Sequence, residues 1–211
     1  MDTDKKIGTK IKNKCLINRK RQQIIDGATK TFVAKGFHKS TVNDIADAAG
    51  LSMGTLYNYI NTKEDILYLV YDYITNILTG EMKRAMSGIK DPKERLRAAL
   101  KQNINTIYKY QDIVRFLYRE SASHDRLTLH TVLSRETKYI ELFEGLLKNC
   151  IDAQHIDEER LKLAADILAY MPVLLPLRSW SLKRRFVSME NAKKLFMEHM
   201  NREIEFILEE F

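Results

Sequence analysis

The sequence predicts an all-α protein, and two features of its composition and patterning lead to that prediction. The 211 residues include only three prolines and eight glycines, which is little turn-forming material for a protein built of sheets. Segments rich in Leu, Lys, Glu and Ala instead repeat apolar residues at the period of an amphipathic helix. Helix-start signals recur along the chain, so we expect a succession of helices divided between two domains.

The N-terminal residues predict a basic arm followed by one helix. Residues 1–18 are polar and contain five lysines, and we expect them to form a flexible arm. The helix is expected from about Arg19 to Lys35, because Gly36 provides a C-terminal stop. Its buried stripe consists of apolar residues at helical spacing: Ile24, Ile25, Ala28, Phe32 and Val33.

Residues 41–60 predict two short helices joined by a tight turn. Thr41 and Asp44 form a capping box, Gly50 can take the positive φ that the turn needs, and Ser52 can cap the second helix. The small side chain of Ala46 would let the two helix axes cross closely. The outward face of the second helix would then present five side chains: Met53, Thr55, Tyr57, Asn58 and Tyr59. This pattern is typical of a helix-turn-helix whose second helix enters the major groove of DNA.

The rest of the chain predicts further helices. Thr62 and Asp65 form another capping box, and Asp91 followed by Pro92 marks a later helix start. Four more helices are expected, at about 112–123, 127–153, 158–178 and 188–210, and two prolines, Pro172 and Pro176, should kink or end the third of them. We therefore divide the chain into an arm (1–18), a helix-turn-helix domain (19–65) and a second helical domain (66–211).

The positive charge of the chain is concentrated near the predicted helix-turn-helix. Residues 1–60 contain 11 Lys and Arg against 5 Asp and Glu, whereas the other 151 residues contain 24 against 23. A basic excess at this place is what phosphate binding requires. The alternative for the arm alone is a solvated tail that promotes solubility.

Cysteine usage and hydropathy indicate in which cellular compartment the protein functions. The two cysteines, Cys15 and Cys150, form neither a disulfide framework nor a metal-binding spacing, which fits a reducing cytoplasm. The start of the chain lacks the apolar core of a signal peptide. The longest apolar run, residues 170–177, is too short to cross a bilayer, so we expect a cytoplasmic protein without a membrane partner.

The segment from about Arg21 to Leu78 resembles the DNA-binding domain of the TetR/AcrR family of bacterial transcriptional regulators. The matching residues include Gly36-Phe37, Thr41-Val42, Asp44-Ile45-Ala46, Ala49-Gly50-Leu51-Ser52, Gly54-Thr55-Leu56-Tyr57 and Lys63-Glu64-Asp65-Ile66-Leu67. Ile60 departs from the family pattern, which usually has Phe there. The resemblance implies about nine helices, a C-terminal ligand-binding domain and a homodimer formed through the last two long helices, here 158–178 and 188–210. It also implies a repressor released from its operator by a small molecule.

Candidate DNA-contacting residues follow from the predicted helix-turn-helix. For base recognition we select residues whose side chains can pair with base edges or contact a thymine methyl group: Thr55, Asn58, Tyr59, Met53 and Asn43. For phosphate contacts we select Thr41, Ser52, Tyr59 and Lys63, three of which begin helices. Tyr57 has two interpretations, a phosphate contact or packing against the first helix. Thr41 and Ser52 also have a purely structural interpretation as helix caps.

Polar residues between apolar positions in the second domain are candidates for a ligand pocket. They are Asn103, Tyr110, Tyr118, Arg119, Glu120, His124 and Tyr139. Glu120 and His124 are one helical turn apart, but a metal site would need a further ligand that the sequence does not offer, so a structural ion pair is the simpler interpretation and no metal or cofactor is expected. Trp180, two residues after Arg178, would pack at the dimer interface, in the core or at the floor of the pocket.

Three classes of function compete for this sequence. The favoured one is a ligand-responsive, sequence-specific repressor that acts as a homodimer on a pseudo-palindromic DNA operator. Its effector would be mainly apolar, such as a fatty-acyl or aromatic metabolite. The second is a DNA-bound scaffolding protein of the same fold without an effector pocket. The third, a helical enzyme, has no motif to support it.

Overall fold

The computed structural model describes residues 7–9, 11–121, 126–152, 156–209 and 211, with side chains described outside 120–135. In these ranges the chain forms helices, turns and loops and no strand, which confirms the all-α prediction. The chain divides into two compact units. Unit 1 comprises residues 1–75 and 116–135, and unit 2 comprises residues 76–115 and 136–211.

The first helix of unit 1 is longer than predicted. Helix α1 spans Lys14–Lys35, because the Asn13 side chain accepts a hydrogen bond from the Leu16 amide and starts the helix there. Residues 14–18 are therefore helical, and the expectation that all of 1–18 is a flexible arm is wrong. The helix ends as predicted at Gly36, whose φ is 78°.

The predicted helix-turn-helix is present, with a shorter second helix. Helix α2 spans Val42–Ala49, and both hydrogen bonds of the Thr41–Asp44 capping box form. Gly50 is left-handed, with φ 65° and ψ 37°, so the chain turns at once into α3, Met53–Leu56. Residues 57–59 continue as turns rather than as helix.

A glycine of α1 lies directly against the end of α2. A Cβ atom added at Gly27 would lie 2.7 Å from the backbone nitrogen of Ala49 and 2.9 Å from its Cβ. The absence of a side chain at Gly27 therefore lets the end of α2 rest directly on α1. Ala46, the small residue expected to let α2 and the second helix of the helix-turn-helix cross closely, is buried as well.

Two further helices contribute residues to unit 1. Helix α4 spans Lys63–Ala85, and the predicted Thr62–Asp65 capping box opens it. The Tyr71 hydroxyl donates to the Leu117 carbonyl at 2.8 Å, and that carbonyl belongs to helix α6, Gln111–Ser121. The Phe116 ring stacks on the buried Phe32 ring of α1, with 5.3 Å between centroids. Helices α4 and α6 each contribute residues to both units.

Unit 2 is a helical bundle with an apolar core. Its helices are α5 (Pro92–Lys109), α7 (Arg126–Lys148, from Glu136), α8 (Glu158–Tyr170), α9 (Leu174–Leu177), α10 (Ser179–Arg185) and α11 (Met189–Glu209). The Asp91 side chain caps α5 through the Glu94 amide, as predicted. The expected helix at 158–178 is broken after Tyr170 by a 3₁₀ turn, Met171–Val173, because Pro172 and Pro176 each lack an N–H donor.

None of the helices in the described ranges combines the length and the hydropathy that a bilayer crossing requires.

Candidate DNA-binding surface and buried polar site

The start of α3 carries two hydroxyl groups that are hydrogen-bonded to each other. The Ser52 and Thr55 oxygens lie 2.8 Å apart, and the Thr55 amide donates to the Ser52 hydroxyl at 3.2 Å. Ser52 is exposed and Thr55 is half-buried, and the side chain of Tyr57 is exposed one turn further on. Met53 and Asn58, in the same segment, are half-buried. Residues 52–58, hereafter the recognition segment, thus combine hydroxyl, amide and methyl groups that can contact base edges.

The start of α2 is fixed by charged partners. The Lys35 ammonium group donates to the Asp44 carboxylate at 2.7 Å, and this bond, followed by bonds from Thr41, lowers the pKa of Asp44 to about 2. The Asn43 amide donates to the Asp47 carboxylate at 3.2 Å. Both Thr41 and Asn43 are exposed, so they can contact DNA once Asn43 exchanges its bond to Asp47 for one to a base.

Tyr59 does not lie where the sequence predicted. Its side chain is only 4% exposed, so the expectation that it presents itself on the outer face is wrong. The reason is that α3 ends at Leu56, and the following turns direct Tyr59 and Ile60 into the core of unit 1. Ile60, where the family pattern usually has Phe, keeps the packing role.

Lys63 has internal partners rather than a free ammonium group. Its Nζ donates to the carbonyls of Phe37 and Ser40 at 2.9 and 3.0 Å and lies 4.3 Å from the centroid of the Phe37 ring. These bonds use two of the three donors of an ammonium group. Lys63 therefore fixes the loop between α1 and α2 to the start of α4, and a phosphate contact would be secondary.

In unit 2 the structure brings together two of the predicted pocket residues. The Tyr139 hydroxyl lies 2.9 Å from the Asn103 carboxamide and 3.1 Å from the Ala169 carbonyl, and burial raises the pKa of Tyr139 above its usual value. Asn103 is completely buried, and its Nδ2 lacks a hydrogen-bond partner among the described residues. The hydroxyl has one hydrogen, so a flipped Asn103 amide could donate to Tyr139 while Tyr139 donates to Ala169. In either orientation one polar atom of the carboxamide has no partner.

Acidic residues continue this polar site. Burial and the nearby Asp166 both raise the pKa of Glu136, whereas a hydrogen bond from Tyr170 lowers it. The Tyr170 ring is 6.3 Å from the Tyr139 ring, measured between centroids. Glu136, Asp166 and Tyr170 were not among the predicted pocket residues, because their proximity depends on how α7 and α8 pack.

The other predicted pocket residues are dispersed. Tyr110 is half-buried in unit 2, whereas Tyr118, half-buried, and Arg119, exposed, belong to unit 1. The side chain of Glu120 and the whole of His124 lie outside the described residues. Within the described ranges no three His, Cys, Asp or Glu residues are grouped as a metal site.

Comparison with known proteins identifies the family. Residues 24–68 match the model for bacterial regulatory proteins of the tetR family, and residues 90–174 match the model for tetracyclin repressor-like C-terminal domains. The HTH-type transcriptional regulator HbdR from Aromatoleum sp. (strain CIB) is 31% identical over 137 residues. That match covers 64% of this chain and 59% of HbdR, which is less than two thirds of the relative.

Solved structures share the fold over most of the chain. FadR from Bacillus subtilis, in complex with stearoyl-CoA, has a TM-score of 0.70 at 21% identity and covers 84% of this chain and 95% of FadR. AibR, in complex with isovaleryl coenzyme A and operator DNA, has a TM-score of 0.66 at 20% identity and covers 86% of this chain and 96% of AibR. The capped helix-turn-helix, the helical second unit and both family matches lead to one conclusion: this chain belongs to the TetR family of DNA-binding transcriptional regulators and is not an enzyme.

Proposed function

We propose that this chain is a cytoplasmic, homodimeric repressor that leaves a pseudo-palindromic operator when an acyl-CoA or a related acyl compound binds in unit 2. The observation that carries the ligand part of the proposal is the buried Asn103 carboxamide with one unpartnered polar atom. The acyl-CoA ligands of FadR and AibR support the choice of ligand class.

The DNA-binding part of the proposal rests on the recognition segment. Thr55, Asn58 and Met53 would contact bases, with Asn43 reaching the same groove from the start of α2. Two capping residues, Thr41 and Ser52, would contact phosphates together with Tyr57. The lysines of the arm and of the first turn of α1 would add sequence-independent attraction.

The effector part rests on the cost of burying an unsatisfied amide. A buried donor or acceptor without a partner costs about 1–3 kcal/mol of stability, and a ligand that pairs with it would recover this free energy on binding. A ligand would pair with the unpartnered atom of Asn103, through a carbonyl if that atom is Nδ2 or through an N–H if it is Oδ1, while the apolar side chains of the surrounding core would contact an acyl chain. This combination of an apolar lining with a few polar groups is typical of small-molecule sites.

The dimer would form through the last long helices. Leu163 and Leu174, on α8 and α9, are exposed, and so are Leu195 and Phe206 on α11, where Phe206 is 57% exposed. Leu195 and Phe206 are separated by 11 residues, close to three helical turns, so they share one face. Trp180, 65% exposed on α10, would extend this apolar surface. Association through these residues would place two recognition segments on two half-sites.

The ligand can release DNA only if it binds the released state more tightly than the DNA-competent state. Helices α4, α6 and α7 each contribute residues to the two units and are the connections through which such a preference would act.

A thermal-shift series tests the effector proposal. The full chain is heated with coenzyme A alone, with acyl-CoAs of increasing chain length and with free fatty acids. A ligand at 100 times its Kd adds about 2.7 kcal/mol of stability, which for this chain length corresponds to a shift of about 5–10 °C. The active compound should then lower the affinity for operator DNA. If no acyl compound shifts the transition or releases DNA, the ligand proposal fails, and the scaffolding alternative without a pocket is favoured.

A comparison of the variant Asn103→Leu with the control variant Asn105→Leu tests whether the ligand binds at Asn103. Removing the unpartnered amide should leave the unliganded protein as stable as the wild type or more stable, and should abolish the shift. Asn105 lies on the same helix and lines an open polar groove of about 590 Å³ with Lys101 and Lys194, so its substitution should preserve the response. The reverse result would place the ligand in that groove.

A further inference from the structure

The end of the recognition segment has carbonyl groups that its own helix cannot satisfy. Helix α3 has four residues, and a helix this short is not stable alone in water. The last carbonyls of a helical segment have no partner within it and need donors from elsewhere. Here the turn amides donate to the end carbonyls of α3, and the next two carbonyls, of Asn58 and of the adjacent Tyr59, accept from other parts of the chain.

The donors come from the N-terminal part of the chain. The Thr9 hydroxyl donates to the Asn58 carbonyl at 2.8 Å, across 49 residues of sequence. The same oxygen accepts from the Ile11 amide at 3.2 Å, which orients the hydroxyl. Residue 8 runs beside the start of α4, since a Cβ added at Gly8 would lie 3.7 Å from the Asn61 side chain.

Arg21 provides the second link. Its Nη2 donates to the Ile7 carbonyl at 2.7 Å and lies 3.4 Å from the Tyr59 carbonyl. Burial lowers the pKa of Arg21, whereas the charges of Asp65 and Asp72 on α4 raise it. Arg21 therefore joins α1, residue 7 and Tyr59, the residue directly after the recognition segment, at one position.

We propose that Thr9 and Arg21 are positioning residues for DNA recognition: residues 7–9 cap the end of the recognition segment and fix the orientation of Tyr57 and Asn58. This inference rests on the proposed function, in which the recognition segment reads bases. The N-terminal residues then have two separable roles. Their lysines attract phosphates, while Thr9 contributes to sequence preference without contacting DNA.

Thr9→Val tests the positioning role, because valine keeps the shape of threonine and removes the donor. The probes are the duplex that the wild-type chain enriches from a randomised pool and a random-sequence duplex of equal length, each measured from 50 to 200 mM salt. Thr9→Val should weaken binding to the enriched duplex about 3–10-fold per subunit, with an unchanged salt slope and unchanged binding to random DNA. Thr9→Ser keeps the hydroxyl and should bind as the wild type does.

Lys12→Gln is the matched electrostatic control, because Lys12 is exposed and lies three residues from Thr9. It should weaken binding to both duplexes and flatten the salt slope. If Thr9→Val binds as the wild type does, or has the Lys12→Gln pattern, the inference is overturned. A wild-type chain that enriches no sequence would instead refute the base-reading function.

Hydrogen exchange tests the contact without DNA. The Asn58 and Tyr59 amides donate to the Thr55 and Leu56 carbonyls within the turn. They should exchange faster in Thr9→Val than in Thr9→Ser. Equal exchange rates in the two variants would show that Thr9 does not hold this turn, and would also overturn the inference.

Discussion

Gly27→Ala should destabilise the protein, although alanine is the better helix former. In an ordinary helix interior the substitution would stabilise by about 1 kcal/mol. At position 27 the new Cβ would lie 2.7 Å from the Ala49 nitrogen and within 3.0 Å of two further Ala49 atoms. The nearest of these atoms is backbone, so no side-chain rotation relieves the overlap and α2 has to move.

The balance of the two effects sets the expected magnitude. Overpacking in a closely packed interior costs about 1–3 kcal/mol, and three simultaneous close contacts favour the upper end. After subtraction of the helix-propensity gain, we expect a net loss of about 2 kcal/mol, or a decrease in Tm of about 4–8 °C for a chain of this size.

Thermal unfolding followed by circular dichroism measures this loss, with Gly145→Ala as the control. Gly145 is exposed in the last turn of α7, and a Cβ there would meet no atom within 4 Å. The control should therefore be as stable as the wild type, or more stable by at most about 0.5 kcal/mol. If Gly27→Ala is as stable as the wild type, the close approach of α1 and α2 does not require glycine and the reasoning is wrong.

Three further predictions concern DNA reading, pH and assembly. Thr55→Ala and Asn58→Ala should each reduce discrimination at particular base pairs by about 1–3 kcal/mol, measured in competition with base-substituted duplexes. Equal losses on random DNA would show that both residues contact the DNA backbone instead. Burial, followed by the charge of Asp166, raises the pKa of Glu136, so the native state binds the proton more tightly and wild-type stability should fall as pH rises from 4.5 through the raised value. Glu136→Gln should remove that fall and be more stable than the wild type at pH 8, and parallel pH profiles of Tm would contradict the assignment. Phe206→Glu should give monomers in analytical sedimentation, and an unchanged dimer would place the interface elsewhere.

Local features of the fold were predictable from sequence because their chemistry involves neighbouring residues. The Thr41–Asp44 box, the turn at Gly50 and the Asp91 cap each depend on residues a few positions apart. The proline break after Tyr170 was predictable in position for the same reason. It was not predictable that the chain would resume as two short helices, α9 and α10.

Features that depend on distant residues were missed or misplaced. The sequence predicts Tyr59 on the outer face if the recognition helix continues through it, but α3 ends at Leu56 and the following turns bury Tyr59. The sequence predicts a phosphate contact for Lys63 at the start of a helix. Its bonds to the 37–40 loop bridge more than 20 residues of sequence, so the local pattern does not reveal them. A glycine at a helical position, such as Gly27, was the one available signal of a close helix approach.

The sequence predicts Asn103 and Tyr139 as pocket candidates, but it does not predict that they form a hydrogen bond. Polar residues between apolar positions suggested an interior site, whereas the hydrogen bond itself depends on the packing of α5 against α7. Glu136, Asp166 and Tyr170 gave no comparable signal, because acidic and aromatic residues on α7 and α8 are equally common on solvated faces.

Selection of DNA from a randomised duplex pool by the full chain tests whether this protein reads an operator sequence as a dimer. We expect enrichment of one pseudo-palindrome whose half-sites are related by a two-fold axis and separated by a helical turn or a multiple of it. Its enrichment should be lost in a Thr55→Ala, Asn58→Ala double variant that still binds random DNA. Enrichment of no sequence, or of a single unpaired half-site, would contradict a dimeric regulator that reads its operator through residues 52–58.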